Sequence, residues 1–122
     1  MWLHLADPEL VEIYRKGFEP NECPEEIASL LVELSQKPYA SKLCVVTSLR
    51  HLRLTTAASW QEGERHDYIY VSRQYDAEKP VITISYVEKN CRKSTADRRC
   101  APEEAAGYVD LYAIRLIASA KR

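Results

Sequence analysis

The hydrophobic residues of this chain change their spacing near Leu43, from every three or four positions before it to every second position after it. The first spacing is that of one face of a helix, and the second is that of one face of a strand. A chain of 122 residues is long enough for one hydrophobic core. We therefore predict a single α+β domain spanning 1–122, with helices first and an antiparallel sheet after them.

Two helices are predicted before the spacing changes. Asp7 can cap the first helix and Pro8 suits its first position, so this helix should cover residues 8–16. The second helix begins after Cys23 with the run Pro-Glu-Glu, carries leucines at helical spacing and ends before Pro38. Because the connection between them is short, we expect an N-terminal helical hairpin.

Three to four short strands are predicted next. Residues 67–75 and 81–87 are rich in tyrosine, valine and isoleucine, and residues 52–60 alternate between two faces. Residues 43–47 form a shorter candidate that could also be a turn of helix. The connections are too short for crossover helices, so the strands should form an antiparallel meander, followed by a basic loop over residues 88–99.

A long C-terminal helix is predicted from the run Ala-Pro-Glu-Glu at 101–104 to about Ala120. Its apolar residues cover more than half of its circumference. We expect this helix to pack on one face of the sheet and to bury a further side, either in the core or against another chain. A dimer formed through this helix therefore stays an open alternative.

Charge and hydropathy argue against several classes of partner. The formal net charge is −1, and the basic segment over residues 88–99 contains no aromatic side chain, so we expect no binding of nucleic acid. No apolar run approaches the length of a membrane-spanning helix, so we expect no membrane partner. The N-terminus lacks the basic segment of a secretion signal, which favours a cytoplasmic protein.

No residue pattern indicates catalysis, a metal site or a cofactor. The four cysteines contain no Cys-x-x-Cys pair, the three histidines lack ligand spacing, and three glycines cannot form a phosphate-binding loop. We therefore predict a protein that is not an enzyme. Two points stay open: a hydrolase that pairs Cys44 with His51 or His66, and a disulfide between Cys91 and Cys100.

One face of the predicted sheet has the composition of a protein interface. If the helices cover the isoleucine and valine faces, the opposite face carries Tyr68, Tyr70, Ser72, Thr83, Ser85 and either Arg53 or Trp60. Tyrosine, tryptophan and arginine on a rigid surface are frequent anchors of protein interfaces. Residues 1–40 add an acidic region, with eight acids and three bases, that could pair with a basic partner.

The layout resembles the immunity proteins of bacterial polymorphic toxins: acidic N-terminal helices, a tyrosine-rich meander and a closing helix. The run at 99–105 leading into 109–116 is similar to the closing helix of small bacterial proteins of that kind. The resemblance includes no diagnostic motif, so it assigns no residue. It implies a cytoplasmic inhibitor that binds one cognate secreted toxin and occludes its active site.

The preferred hypothesis is thus a protein-binding inhibitor. The predicted partner-binding residues are Glu22, Glu25, Glu26, Trp60, Tyr68 and Tyr70. Two alternatives stay open, namely a homodimeric chaperone or adaptor for a secreted effector and a small hydrolase.

Overall fold

The fold is seen in a computed structural model that describes residues 2–16, 25–48, 51–57, 66–76, 79–89 and 94–120. The helices within these ranges are α1 (Leu10–Lys16), α2 (Glu25–Ser35) and α3 (Ala105–Ser119), with 3-10 turns at Ala40–Lys42 and Pro102–Glu104. The strands are β1 (Trp2–His4), β2 (Cys44–Ser48), β3 (His51–Thr55), β4 (Tyr68–Asp76), β5 (Lys79–Val87) and β6 (Ser94–Cys100).

The six strands form one antiparallel sheet in the order β1-β2-β3-β4-β5-β6. An α+β fold with an antiparallel meander and a C-terminal helix is therefore confirmed. The prediction of three to four strands is wrong, because the sheet gains a strand at each edge. The strand predicted over residues 52–60 ends at Thr55, and residues 58–60 lie outside the described ranges.

Both edge strands have sequences that hide their β character. Strand β1 has only three residues, and its pairing with β2 comes from a distant part of the chain. Strand β6 occupies the segment predicted as a basic loop, and its side chains towards the helices are Ala96, Arg98 and Cys100. Arg98 sits where an apolar residue is expected, with its guanidinium 5.9 Å from the ring centre of Tyr108.

The helical hairpin differs from the prediction in its bounds. The Oδ1 atom of Asp7 accepts a hydrogen bond from the Glu9 N–H at 2.9 Å, which is the predicted capping interaction. Helix α1 nevertheless begins at Leu10 rather than at residue 8. It packs against α2, and Arg15 at its end forms an ion pair of 2.8 Å with Glu25 at the start of α2.

The core lies between the sheet and the helices. The helices pack on the sheet face that carries the isoleucine and valine side chains, as predicted. Alternate residues of the strands and one side of each helix are buried together. The largest fully buried side chains are those of Tyr14, Tyr86, Leu5, Leu10, Ile27, Leu31, Leu34, Leu43, Leu52, Leu54, Ile69 and Ile82. Among the described residues, no helix combines the length and apolar character needed to cross a membrane.

The carboxylate of Asp67 joins three parts of the fold where β4 begins. Its Oδ2 atom accepts a hydrogen bond of 2.6 Å from the Tyr86 hydroxyl on β5, and its Oδ1 atom accepts one of 2.9 Å from the Lys89 N–H. Burial raises the pKa of Asp67, but these bonds, the Lys89 charge and Ser119 on α3 outweigh burial, so the pKa falls below its ordinary value. Burial and the bond to Asp67 raise the pKa of Tyr86 to about 12.

We expect Asp67→Asn to lower the free energy of unfolding by about 1–3 kcal/mol at neutral pH, because it weakens hydrogen bonds to a buried charged group. A lowered folded-state pKa stabilises the protein above the ordinary value of 3.8, and this stabilisation is lost as the pH falls through the folded-state pKa. The difference in free energy of unfolding between wild type and variant, measured by urea denaturation, should therefore become smaller in acid. Glu33→Gln, at an exposed position of α2, is the control, and an equal effect of both variants would refute the role of Asp67.

Candidate protein-binding face

The face of the sheet opposite the helices carries polar and aromatic side chains in three cross-strand rows, and we call it the tyrosine face. The strand registers give its members as His51, Ser72, Thr83 and Arg99 in one row, Arg53, Tyr70, Ser85 and Asp97 in the next, and Thr55, Tyr68, Val87 and Ser94 in the third. None of these positions points towards α2 or α3, because their strand neighbours supply the core.

Two ring contacts hold the centre of the tyrosine face in place. The Arg53 guanidinium lies 4.8 Å from the ring centre of Tyr68, and the rings of His51 and Tyr70 stack with their centres 5.2 Å apart. Each contact joins diagonal neighbours on β3 and β4, the pairs that long side chains can bridge across strands. Both tyrosines are therefore oriented before any partner arrives, which lowers the entropy cost of binding.

Small side chains between the rings are shielded from solvent although neither α2 nor α3 covers them. Ser72, Ser85 and Thr55 are buried, while Tyr68 and Tyr70 are partly exposed. Burial raises the pKa of Tyr70 despite the opposing charge of Arg53. Its hydroxyl, like that of an ordinary tyrosine, is protonated at neutral pH. The face thus presents apolar ring surface together with a neutral hydroxyl that can donate a hydrogen bond.

Two polar atoms in the first row are buried without a hydrogen-bond partner among the described residues. They are the Nδ1 atom of His51 and the Oγ1 atom of Thr83, which sit on either side of Ser72 in that row. Unsatisfied buried polar groups cost stability and are uncommon in native structures. The hydroxyl of Tyr112 on α3 is in the same condition, so this feature is not confined to the tyrosine face.

The charges of the tyrosine face are mainly positive at its borders. Arg53 and Arg99 lie on opposite sides of the tyrosines. The carboxylate of Asp97 accepts hydrogen bonds from the hydroxyls of Ser85 at 2.5 Å and Ser94 at 3.1 Å, so it is engaged within the sheet. A partner surface bearing carboxylates or carbonyl groups would match this pattern.

The structure does not bring the acidic candidates together with the tyrosines. Helix α2 lies on the other side of the sheet, where the Glu26 carboxylate forms an ion pair of 2.9 Å with Arg73 and both side chains are largely buried. The Glu25 side chain is 71% exposed but pairs with Arg15. Glu22 and Trp60 lie outside the described residues.

For the residues considered for a hydrolase, the structure shows Cys44 and His66 each in contact with another side chain. The Sγ atom of Cys44 lies 3.7 Å from Nδ1 of His4, whereas His66 pairs with the Thr56 hydroxyl at 2.8 Å. His51 is four residues away along the β2–β3 ladder, roughly 13 Å at 3.3 Å per residue.

Thiols and metal-ligating side chains form no further site in the described part of the chain. The thiols of Cys44 and Cys100 are buried, and Cys91, the other half of the disulfide considered above, lies outside the described residues. Within the described ranges no three histidine, cysteine or acidic side chains are close enough to hold a metal ion together.

Sequence reasoning missed the part of the tyrosine face that β6 supplies. Asp97 and Arg99 were assigned to a loop, so their positions beside Ser85 and Thr83 could not be inferred. Residues 94–100 offered no clear alternation as a signal, because Asp97, Arg98 and Arg99 are three consecutive charged residues. Comparison with protein-family models, with curated protein sequences and with solved structures finds no match.

We expect Arg53 and Tyr68 to be coupled energetically by about 0.5–1 kcal/mol, the usual strength of an exposed cation–π contact. The measurement is a double-mutant cycle in urea with Arg53→Ala, Tyr68→Ala and the double variant. Arg98 and Tyr108 provide a matched pair on the helix side, with a longer separation of 5.9 Å, and should couple less strongly. A coupling of zero for Arg53 and Tyr68 would contradict the ordered face.

Proposed function

We propose that this chain is a cytoplasmic binding protein that neutralises a cognate secreted toxin, with the tyrosine face as its main contact surface. The observation that carries the proposal is the ordered set of tyrosine, histidine and arginine side chains on a sheet face that none of the described helices covers. Such residues supply most of the binding energy in protein interfaces, especially when they are fixed before binding. The toxin class rests on the resemblance of the layout to immunity proteins.

The proposed mechanism is steric occlusion. A six-stranded sheet is a rigid surface. A partner that contacts β3, β4 and β5 around the mouth of its active site would have that mouth covered. The rings of Tyr68 and Tyr70 would supply apolar contact, while Arg53 and Arg99 would pair with carboxylates at the rim of the partner's site. Inhibition of this kind needs affinity and coverage, and it needs no catalytic group on this chain.

The acidic residues have a secondary place in this proposal. Glu25 keeps a mostly exposed carboxylate and could contact a partner that extends around the edge of the sheet. Glu26 already stabilises the packing of α2 through Arg73, so a substitution there would change folding and binding together. Substitution of Tyr68 or Tyr70 tests binding more directly, because these side chains do not pack against the helices.

The experiment is co-expression with the product of the adjacent reading frame, followed by measurement of growth and of the dissociation constant for the purified pair. We expect that product to arrest growth alone and to be tolerated together with this chain. Tyr70→Ala should weaken binding by roughly 30-fold or more, the effect of losing an interface anchor. Tyr108→Ala removes an arginine-paired tyrosine from the helix side and should leave binding within about threefold.

Several results would overturn the proposal. Equal loss of binding in Tyr70→Ala and Tyr108→Ala would show that the tyrosine face is not the contact surface. A bound product that is harmless when expressed alone would favour an effector chaperone instead. Binding of a single-stranded RNA probe that depends on Tyr70 would assign the face to nucleic acid, because exposed aromatics on a sheet can also stack on bases.

A further inference from the structure

Helix α3 leaves a line of small and apolar residues uncovered on the side away from the sheet. Leu111 is 62% exposed and Ile114 is 70% exposed, the highest exposures of large hydrophobic side chains among the described residues. Gly107 and Ala118 are also exposed and extend the line at both ends. We call these four residues the α3 seam.

Gly107 has no role in packing within the described chain. A Cβ atom added at this position would meet nothing within 4 Å. Glycine weakens a helix relative to alanine, so its presence in an open position favours another explanation. Close approach of a second backbone is a common reason for a small residue on a helix surface.

The seam is complementary to itself when two copies run antiparallel. Its positions are spaced by four, three and four residues, which is the repeat of residues that line a helix–helix contact. A two-fold axis between positions 112 and 113 would place Leu111 against Ile114 of a second copy. The same axis would place Gly107 against Ala118, so large residues meet at the centre and small residues meet at the ends.

The charged side chains on both edges of the seam are also compatible with contact between two copies. On one edge, Asp110 pairs with Lys37 at 3.0 Å, and on the other, Arg115 pairs with Glu88. Each edge therefore carries one positive and one negative side chain. In an antiparallel helix pair each edge meets the same edge of the second copy. When an edge meets its copy, each charged side chain can pair with the opposite charge of the second copy, so no two like charges face each other unpaired.

We propose that the chain forms a homodimer through antiparallel contact of the two α3 seams. The seam faces away from the sheet, so both tyrosine faces would point outward and stay accessible. The dimer does not rest on the function proposed above and is tested without any partner. A seam of four residues on one helix is smaller than the roughly 800 Å² per partner of a standard interface, so the dimer is weak, with a dissociation constant in the micromolar range.

The first experiment is sedimentation velocity of the full chain over a series of concentrations. The wild type should approach twice its 14.0 kDa mass as the concentration rises through the micromolar range. Leu111→Glu and Ile114→Glu should each weaken dimerisation by roughly 100-fold, since they place a carboxylate in the contact. Gln74→Glu adds the same charge at an exposed position on the other side of the sheet and should dimerise like the wild type.

The second experiment tests the antiparallel arrangement by disulfide cross-linking, in a background with Cys23→Ser and Cys91→Ser. A mixture of Gly107→Cys and Ala118→Cys chains should cross-link more than either variant alone. Thermal melting checks that every variant is folded. The proposal is overturned if the wild type stays monomeric up to roughly 1 mM, if Leu111→Glu dimerises as well as the wild type, or if Gly107→Cys alone cross-links best.

Discussion

The pairing of β4 with β5 is the constraint on which the other elements depend. It joins nine residue pairs, from Tyr68 with Val87 to Asp76 with Lys79, and is the longest ladder of the sheet. At one end of it, Asp67 ties the entry of β4 to the Tyr86 hydroxyl and to the chain leaving β5. The Arg115 guanidinium lies 4.0 Å from the ring centre of Tyr86, so α3 is positioned against the same end.

The sheet that contains this ladder has two faces of different composition. Residues that point towards α2 and α3 are apolar and fully buried, and they supply the hydrophobic stabilisation of the domain. Their neighbours point the other way and form the tyrosine face, where ring contacts replace helix packing. The helix layer turns a second surface outward, the α3 seam. The two contacts proposed above, with a partner and with a second copy, would therefore lie on opposite sides of the sheet.

The parts of the fold that follow a strong local pattern could be predicted from the sequence. The alternation in β4 and β5 placed Tyr68 and Tyr70 opposite the core, and of the alternatives Arg53 and Trp60 the structure places Arg53 beside them. Strands β1 and β6 were not predicted, because pairing with β2 and β5, rather than their own residues, makes them strands. Glu26 stays a predicted partner-binding residue, but its ion pair with Arg73, which joins residues 47 positions apart, could not be predicted. No local pattern carries that information.

The most direct test of the tyrosine face as the binding surface is hydroxyl-radical footprinting of the chain with and without the captured partner. Radical labelling reports the solvent exposure of individual side chains, so it separates the two faces in one measurement. The account predicts that complex formation protects Tyr68 and Tyr70 while Tyr108 keeps its labelling rate. Protection confined to α3, with Tyr68 and Tyr70 labelled as in the free protein, would contradict it.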